Sequence, residues 1–258
     1  MERLGRNRSR ALTTSGLRVW GILFLIAGMV SRYILQNRIL NLASITNTQL
    51  LELLNTNPNS MAIATAALVL QALEVLAVPV FALLLAEGFI HTKNFKAYLL
   101  RLAAVALVSE LPYDLVMMGK LGDMGAQNPC LALVIGIVML YLFRRFSQRS
   151  FGHVLLRVFI VLAAIMWVEM LRIEHGTPTI VMVCVFWLMR NKPSLRGLVG
   201  AGAAMCCCIV SPFYLVASMG CLPVHMYRGE QGESNKLIHY AAYPLLLLAV
   251  YFIGQYFF

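Results

Sequence analysis

Glu87 and His91 are the first pair whose spacing suggests chemistry, because residues four apart share one face of a helix. A carboxylate that holds an imidazole in one tautomer is a common way to orient a general base. We therefore predict Glu87 and His91 as candidate catalytic residues. The alternative is a helix end at the level of the lipid headgroups, where Glu87 pairs with Lys93 or Arg101.

Glu110 and Asp114 form a second pair with the same spacing, and Pro112 lies between them. Proline lacks a backbone donor, so the helix is expected to open beside the two acids. Paired carboxylates in a partly dry place raise each other's pKa and can hold a proton. We predict a catalytic role for both acids. The alternative is a helix terminus whose acids reach the outer water.

Two histidines complete the predicted catalytic set. His175 follows Glu174 in a turn just before Gly176, beside a helix N-terminus that favours anions; the alternative is a solvated turn. His239 precedes Tyr240 in a polar and aromatic stripe at the start of the last apolar segment. A membrane-interface aromatic belt explains the tyrosine without chemistry.

Glu74 lies inside an apolar segment, far from either end, and therefore needs a partner or water. Arg32 is expected in the outer half of another such segment. We predict a structural ion pair between Glu74 and Arg32.

The elements that carry these residues are predicted from composition. The chain has 258 residues, of which 60% are hydrophobic and 12% are charged. Soluble domains carry about a quarter charged residues, and a soluble fold of this length cannot bury so much apolar surface. The expected fold is an all-α polytopic transmembrane helical bundle whose excess apolar surface faces membrane lipid.

A membrane span needs about 20 mainly apolar residues, and we predict eight spans. They are Leu17–Leu35, Met61–Ile90 with a kink at Pro79, Phe95–Met118, Asn128–Phe143, His153–Leu171, Thr177–Met189 with Thr177 as its N-cap, Leu195–Met219 and Lys236–Tyr256. Thr48–Leu54, in the outer loop, is predicted to form a short interfacial helix.

Charge supports this map and argues against a nucleic-acid partner. Most of the 21 lysines and arginines fall in alternate connections, beginning with the segment before the first span. This is the pattern of the positive-inside rule, and it predicts that both chain ends are cytoplasmic. The formal net charge of +10 is thus spread over short runs between apolar segments and forms no nucleic-acid-binding stripe.

Three segments resemble the TraX family of membrane proteins, which are named for conjugative pilin acetylation and regarded as acyltransferases. The segments are Pro79–Thr92, Tyr98–Leu102 and Ser109–Asp114. Weaker similarities follow at Glu174-His175-Gly176, Tyr227-Arg228-Gly229, Tyr240 and Tyr243-Pro244. The resemblance implies one TraX-like transmembrane domain over residues 1–258, with a basic cytoplasmic N-terminus at 1–16 and an outer loop at 36–60.

The chain departs from the family pattern at several polar positions. Ser31-Arg32 stands where the family usually has Asp-His, and Glu74-Val75 replaces an expected Gly-Arg pair. Leu246 replaces the histidine that follows the Tyr-Pro motif, and Ala132 replaces a threonine. The resemblance thus implies a divergent member of the family, either active or inactive.

The resemblance implies acyl transfer, from acetyl-CoA on the cytoplasmic side to an amine or hydroxyl of a pilin, a peptide or an envelope glycan. Lys93, Lys96 and Arg101 are the candidate ligands for the CoA phosphates, although topology alone also explains these cations. Glu110, Asp114, His175 and His239 would receive the acceptor from outside. The family and the short loops imply the bacterial inner membrane.

The alternative is a catalytically inactive TraX-like scaffold, acting as a partner-binding membrane subunit or a small-solute carrier. This alternative directly explains the replaced polar positions. An enzyme should have Glu87 and His91 facing a cavity that is open to the cytoplasm. An inactive scaffold should have both paired to loop cations, without a cavity.

Overall fold

The computed structural model describes residues 12–42, 44–122, 125–148, 150–227, 229–230 and 236–257, and for residues 236–239 the backbone alone. In these ranges the chain is helical and has no strand, as predicted for an all-α protein. Its helices are α1 Thr14–Met29, the π-helix Val30–Ile39, α2 Asn47–Thr56, α3 Pro58–Glu74, α4 Ala77–His91, α5 Phe95–Met117, α6 Cys130–Arg145, α7 Phe151–Met170, α8 Gly176–Leu188, α9 Pro193–Cys206, α10 Tyr214–Ala217, α11 Cys221–Met226 and α12 Lys236–Phe257.

Local sequence explains where several helices begin. The side chains of Thr13, Asn94 and Ser150 accept hydrogen bonds from backbone N–H groups in the first turns of α1, α5 and α7. Such caps satisfy donors that have no partner within the helix. Thr46 forms a capping box with Gln49 at the start of α2, so the short helix predicted at Thr48–Leu54 is present and slightly longer.

Four helical stretches among the described residues are long and apolar enough to cross a membrane. They are Thr14–Ile39, Pro58–His91, Phe151–Met170 and Tyr240–Phe257. The class of membrane helical protein is therefore supported, whereas the predicted number of eight spans is not confirmed.

The predicted second span is a broken helix. α3 ends at Glu74 and α4 begins at Ala77, and the N–H of Val78 donates to the carbonyl of Val75 at 3.2 Å. Pro79 has no N–H to give the Val75 carbonyl the usual i to i+4 bond, which explains the break. The kink predicted at Pro79 therefore lies four residues before it.

The predicted span Leu195–Met219 is wrong. α9 ends at Cys206, a 3₁₀ turn covers Cys207–Ile209, and the chain reverses before α10. Pro212 in the reversal cannot continue a helix, and α11 packs back along α9, with His225 against Gly197. The stretch from Tyr214 to Met226 therefore returns to the end of the bundle where α9 began.

This reversal also corrects the predicted topology. The Tyr227 hydroxyl lies 3.1 Å from that of Thr14, so the segment predicted as the last outer loop starts beside the beginning of α1. α12 then runs parallel to α1: Tyr240 contacts Arg101 near the start of α5, and Gly254 packs on Tyr33. The described chain ends thus lie at opposite ends of the bundle, so the prediction of two ends on the same side is not supported.

Two smaller predictions also change. The outer loop at 36–60 is mostly helical, because the π-helix runs to Ile39 and α2 fills much of the remainder. α8 begins at Gly176 with His175 as its N-cap in the left-handed conformation (φ 55°). Thr177 does not cap the helix, because its hydroxyl donates to the Glu169 carboxylate at 2.5 Å.

We call the end of the bundle that contains Thr14, His91 and Arg196 the basic end, because Lys93, Arg101, Arg144 and Lys192 also lie there. The main apolar core lies among α4, α6, α8 and α9. A smaller apolar cluster lies between the π-helix, α5 and α12, toward the other end. We call it the far cluster; its buried members are Met29, Tyr33, Tyr113, Val116, Leu247 and Val250.

Candidate functional site

A cavity of about 800 Å³ opens at the basic end and extends into the bundle. Its mouth is lined by Arg18, His91, Lys93 and Arg101, and its floor by Glu74 and His175. Ala77 and His91, the first and last residues of α4, both line it. At 1.5 Å per residue, that helix makes the cavity about 20 Å deep.

The wall between mouth and floor is apolar. It is formed by Ile22, Leu25, Phe81, Leu84, Leu102, Val105, Leu133 and Leu246. On α5 the lining residues Tyr98, Arg101, Leu102 and Val105 follow the i, i+3, i+4, i+7 spacing of one helical face. The cavity thus joins a basic mouth to a polar floor through an apolar channel.

Glu87 and His91 both line the cavity near the mouth. The His91 Nδ1 atom lies 2.9 Å from the Glu87 carbonyl oxygen and 3.6 Å from its carboxylate. Arg196 is 4% exposed and donates from Nη1 to the other oxygen of Glu87 at 2.5 Å. The predicted pair therefore faces a cavity, with its carboxylate also neutralised by a buried arginine.

Arg196 and Tyr227 connect the mouth to the start of α1. The guanidinium of Arg196 donates to the Tyr227 carbonyl at 3.4 Å and lies 5.4 Å from the centre of its ring. The N–H of Thr14 donates to the carbonyl of Glu230 at 3.0 Å. These contacts hold α1, α4 and α9 together around the cavity mouth.

His175 at the floor is held in a fixed orientation. Its Nδ1 atom lies 2.6 Å from the Tyr214 hydroxyl. Its Nε2 atom is buried without a hydrogen-bond partner among the described residues, and it lies 3.9 Å from the Glu74 carboxylate. Nδ1 is therefore engaged by Tyr214, and Nε2 is the ring nitrogen without a hydrogen-bond partner among the described residues.

Arg32 closes the floor from below through ion pairs with Glu74 and Glu174. Its Nη2 atom lies 3.1 Å from Glu74, and Nη1 contacts Glu174 directly. The hydroxyl of Tyr113 donates to Glu174 at 2.6 Å. The structural pair predicted between Arg32 and Glu74 is thus present, as part of a larger buried network that also includes His175.

The charges in this network shift the pKa of both residues in the turn before α8. Burial alone would raise the pKa of Glu174, but Arg32 and His175 outweigh it and lower the value. Burial opposes the charged form of His175, but the Glu74 contact and the charge of Glu174 raise its pKa above the usual range. Both groups are therefore biased toward their charged forms.

Glu74, Glu174 and His175 each place one potential metal-ligating atom within 4.8 Å of the others. Arg32 contacts both carboxylates, so its guanidinium already supplies a positive charge between them. A metal ion would have to displace that arginine or add to its charge.

The other predicted acid pair, Glu110 and Asp114, does not line the cavity. Glu110 contacts the Asn128 amide, and Asp114 accepts from the N–H of Gly122 at 2.9 Å. At about 100° per residue, the two acids lie about 120° and 160° around α5 from Tyr98 on the cavity face. The structure therefore separates them from His91 and His175.

Of the remaining predicted site residues, some line the cavity and others do not. Lys93 and Arg101 line the mouth, whereas Lys96 is exposed and does not line the cavity. His239 lies in the part of α12 whose side chains are outside the described residues. Sequence reasoning did not select Arg196, Tyr214 or Tyr227; an arginine just inside an apolar segment was the one signal available for Arg196.

The fold and the site define a helical membrane protein with a deep cavity that joins basic and acid–histidine groups. No curated protein and no solved structure shows a significant match to the chain. A family model does match: residues 37–254 fit the model of the TraX protein, so this chain belongs to the TraX family.

Proposed function

We propose that this TraX-family protein is a membrane acyltransferase that moves an acetyl group from acetyl-CoA to an amine or hydroxyl. The observation that carries the proposal is the cavity, which joins cations at its mouth to an oriented histidine at its floor. Its volume falls in the usual range for small-molecule sites, about 300–1,000 Å³. The basic end would be cytoplasmic by the positive-inside rule, in a bacterial inner membrane.

The mouth suits the donor. Arg18, Lys93 and Arg101 line it and would attract the phosphates of CoA. A thioester arm would then extend along the apolar wall toward the floor. The depth of the cavity and its change from a basic mouth to an apolar wall both favour this orientation of the donor, because its charged end stays near water.

The floor suits the chemistry. With the ring of His175 held through Nδ1 by Tyr214, Nε2 of the neutral ring would take the proton from the attacking amine or hydroxyl. Because the pKa of His175 is raised, this step requires a pH above that value. Glu74 would stabilise the imidazolium that forms. The hydroxyls of Tyr243 and Thr179, which also line the cavity, are the candidate donors to the developing oxyanion.

A partner-binding scaffold is the second candidate function. Arg196 neutralises Glu87, and Arg32 neutralises Glu74, as expected where charges serve packing alone. A cavity lined by Glu87 and His91 favours the enzyme.

Acetyl-CoA hydrolysis and transfer by the purified protein test the proposal, with several amine and hydroxyl acceptors. His175→Ala should lower the rate by about 10²-fold or more, as expected for loss of a general base. Glu110→Gln should leave the rate within about threefold, because that acid lies away from the cavity. His153→Ala, at the basic end but outside the cavity lining, is the matched control. A folded wild-type sample without activity on any acceptor would favour the scaffold.

A further inference from the structure

The mouth at the basic end is the described entrance of the cavity, and two layers of side chains lie between its floor and the far end of the bundle. The lining residues nearest the far end are Glu74, Pro129, Cys130, His175 and Thr179. Pro129 and His175 are the described residues of the far-end connections, at 40–57, 118–129, 171–175 and 210–213, that line the cavity. A molecule approaching from the far end therefore meets these two residues and the side chains packed beneath them.

One of these two layers is charged and the other is apolar. In the charged layer, Arg32 bonds to both Glu74 and Glu174 below the floor. Arg32 does not line the cavity, although 21% of its side chain is exposed. Its exposed part thus faces away from the cavity.

The apolar layer is the far cluster. Tyr113 and Val116 are fully buried in it, and Leu247 of α12 packs against them. Opening a path here would separate close-packed side chains and expose them to water, at a cost of about 1.5–3 kcal/mol for each large residue. A water-filled path through both layers is therefore not part of this conformation.

We propose that the donor and the acceptor both enter through the mouth at the basic end, so that the acceptor is an amine or hydroxyl presented on the cytoplasmic side. This inference rests on the proposed function and deepens it, since it replaces an outer acceptor with a cytoplasmic one. Both substrates then share one channel, and the acetylated product leaves by the same route.

The native thiol of Cys130 makes the entrance measurable, because it lines the deep half of the cavity. The experiment uses the full-length protein with Cys130 as its one cysteine, in sealed vesicles of each orientation. The probe is a charged, membrane-impermeant maleimide. Lys192→Cys reports the basic end and Leu121→Cys the far end, each in a Cys130→Ala background, because both side chains are exposed in connections.

Cys130 should react at least tenfold faster in vesicles that expose Lys192→Cys than in those that expose Leu121→Cys. A second reporter, Leu133→Cys with Cys130→Ala, lies one turn nearer the mouth and should show the same preference. Faster labelling from the Leu121→Cys side, equal labelling from both sides, or no labelling of either reporter would overturn the inference.

The labelling experiment also separates this inference from the proposed function. Access of the maleimide does not require catalysis, so a one-sided result stands even if the protein has no transferase activity. Protection of Cys130 by added CoA tests the donor site independently. Labelling from both sides with intact CoA protection would reject the single entrance and leave acyl transfer supported.

Discussion

Gly28 in α1 lies directly against the carboxylate of Glu74, and this contact yields the sharpest stability prediction. A Cβ atom at Gly28 would lie well inside the van der Waals contact distance to the Glu74 Cδ atom. Gly28→Ala must therefore displace the carboxylate from Arg32 and from His175. Gly202→Ala in α9 is the matched control, because nothing lies within 4 Å of a Cβ atom there.

Two opposing contributions determine how much Gly28→Ala changes the free energy of unfolding. Losing the 3.1 Å charged hydrogen bond between Arg32 and Glu74 should cost about 1.5–3 kcal/mol. Replacing a helical glycine by alanine stabilises the folded state by about 1 kcal/mol. Gly28→Ala should therefore lower the free energy of unfolding by about 0.5–2 kcal/mol, and Gly202→Ala should raise it by up to about 1 kcal/mol.

Equilibrium unfolding in detergent micelles measures both changes, and a double-mutant cycle isolates the contact. In a Glu74→Ala background the clash is absent, so Gly28→Ala should become stabilising by up to about 1 kcal/mol. Equal effects of Gly28→Ala in the two backgrounds would refute the placement of Glu74 beside α1.

Three further outcomes are expected. Arg196→Ala removes the buried cation that pairs with Glu87 and should cost about 3–5 kcal/mol in unfolding experiments, whereas the control Arg190→Ala, on an exposed residue, should cost under about 1 kcal/mol. The pKa of His175 is raised in the folded state, so its stabilisation is full below about pH 6.5 and is lost as pH rises through the folded value. Unfolding of His175→Gln at a series of pH values should lack that loss. Arg101→Glu should raise KM for acetyl-CoA about tenfold with little change in kcat, an effect that shrinks at high salt.

The sequence identified the membrane class and the family, because these signals are local. Apolar length and hydropathy were enough for spans such as that of α7, and the Pro79–Asp114 block was enough for TraX. The Arg32–Glu74 pair was also predictable, since an isolated acid in an apolar helix needs a cation.

The folded-back segment after α9 was not predictable from hydropathy. Residues 195–219 have the length and apolarity of one span, and only Pro212 signals a reversal. Where the chain turns is decided by packing of α11 on α9, which depends on residues far apart in the sequence. The error also displaced the predicted positions of Tyr227, which lies beside Thr14, and of Gly254, which packs on Tyr33.

Only part of the site was predictable, again because contacts between residues far apart in the sequence decide its composition. The i, i+4 spacing placed Glu110 and Asp114 together but did not say which face of α5 meets the cavity. His175 sat in a turn with a weak signal, and only the fold brings it beside Glu74 from α3. Long-range contacts, not local pattern, decide which polar residues share the cavity.

Acyl transfer in the proposed site requires that a donor bound at the mouth delivers its acyl group to the floor. Bromoacetyl-CoA, an electrophilic analogue of acetyl-CoA, tests this claim directly when the alkylated residue is identified by mass spectrometry. An adduct on His175 or Cys130, suppressed by excess acetyl-CoA, is the expected result. Adducts confined to the exposed Cys206, with no competition by acetyl-CoA, would contradict it.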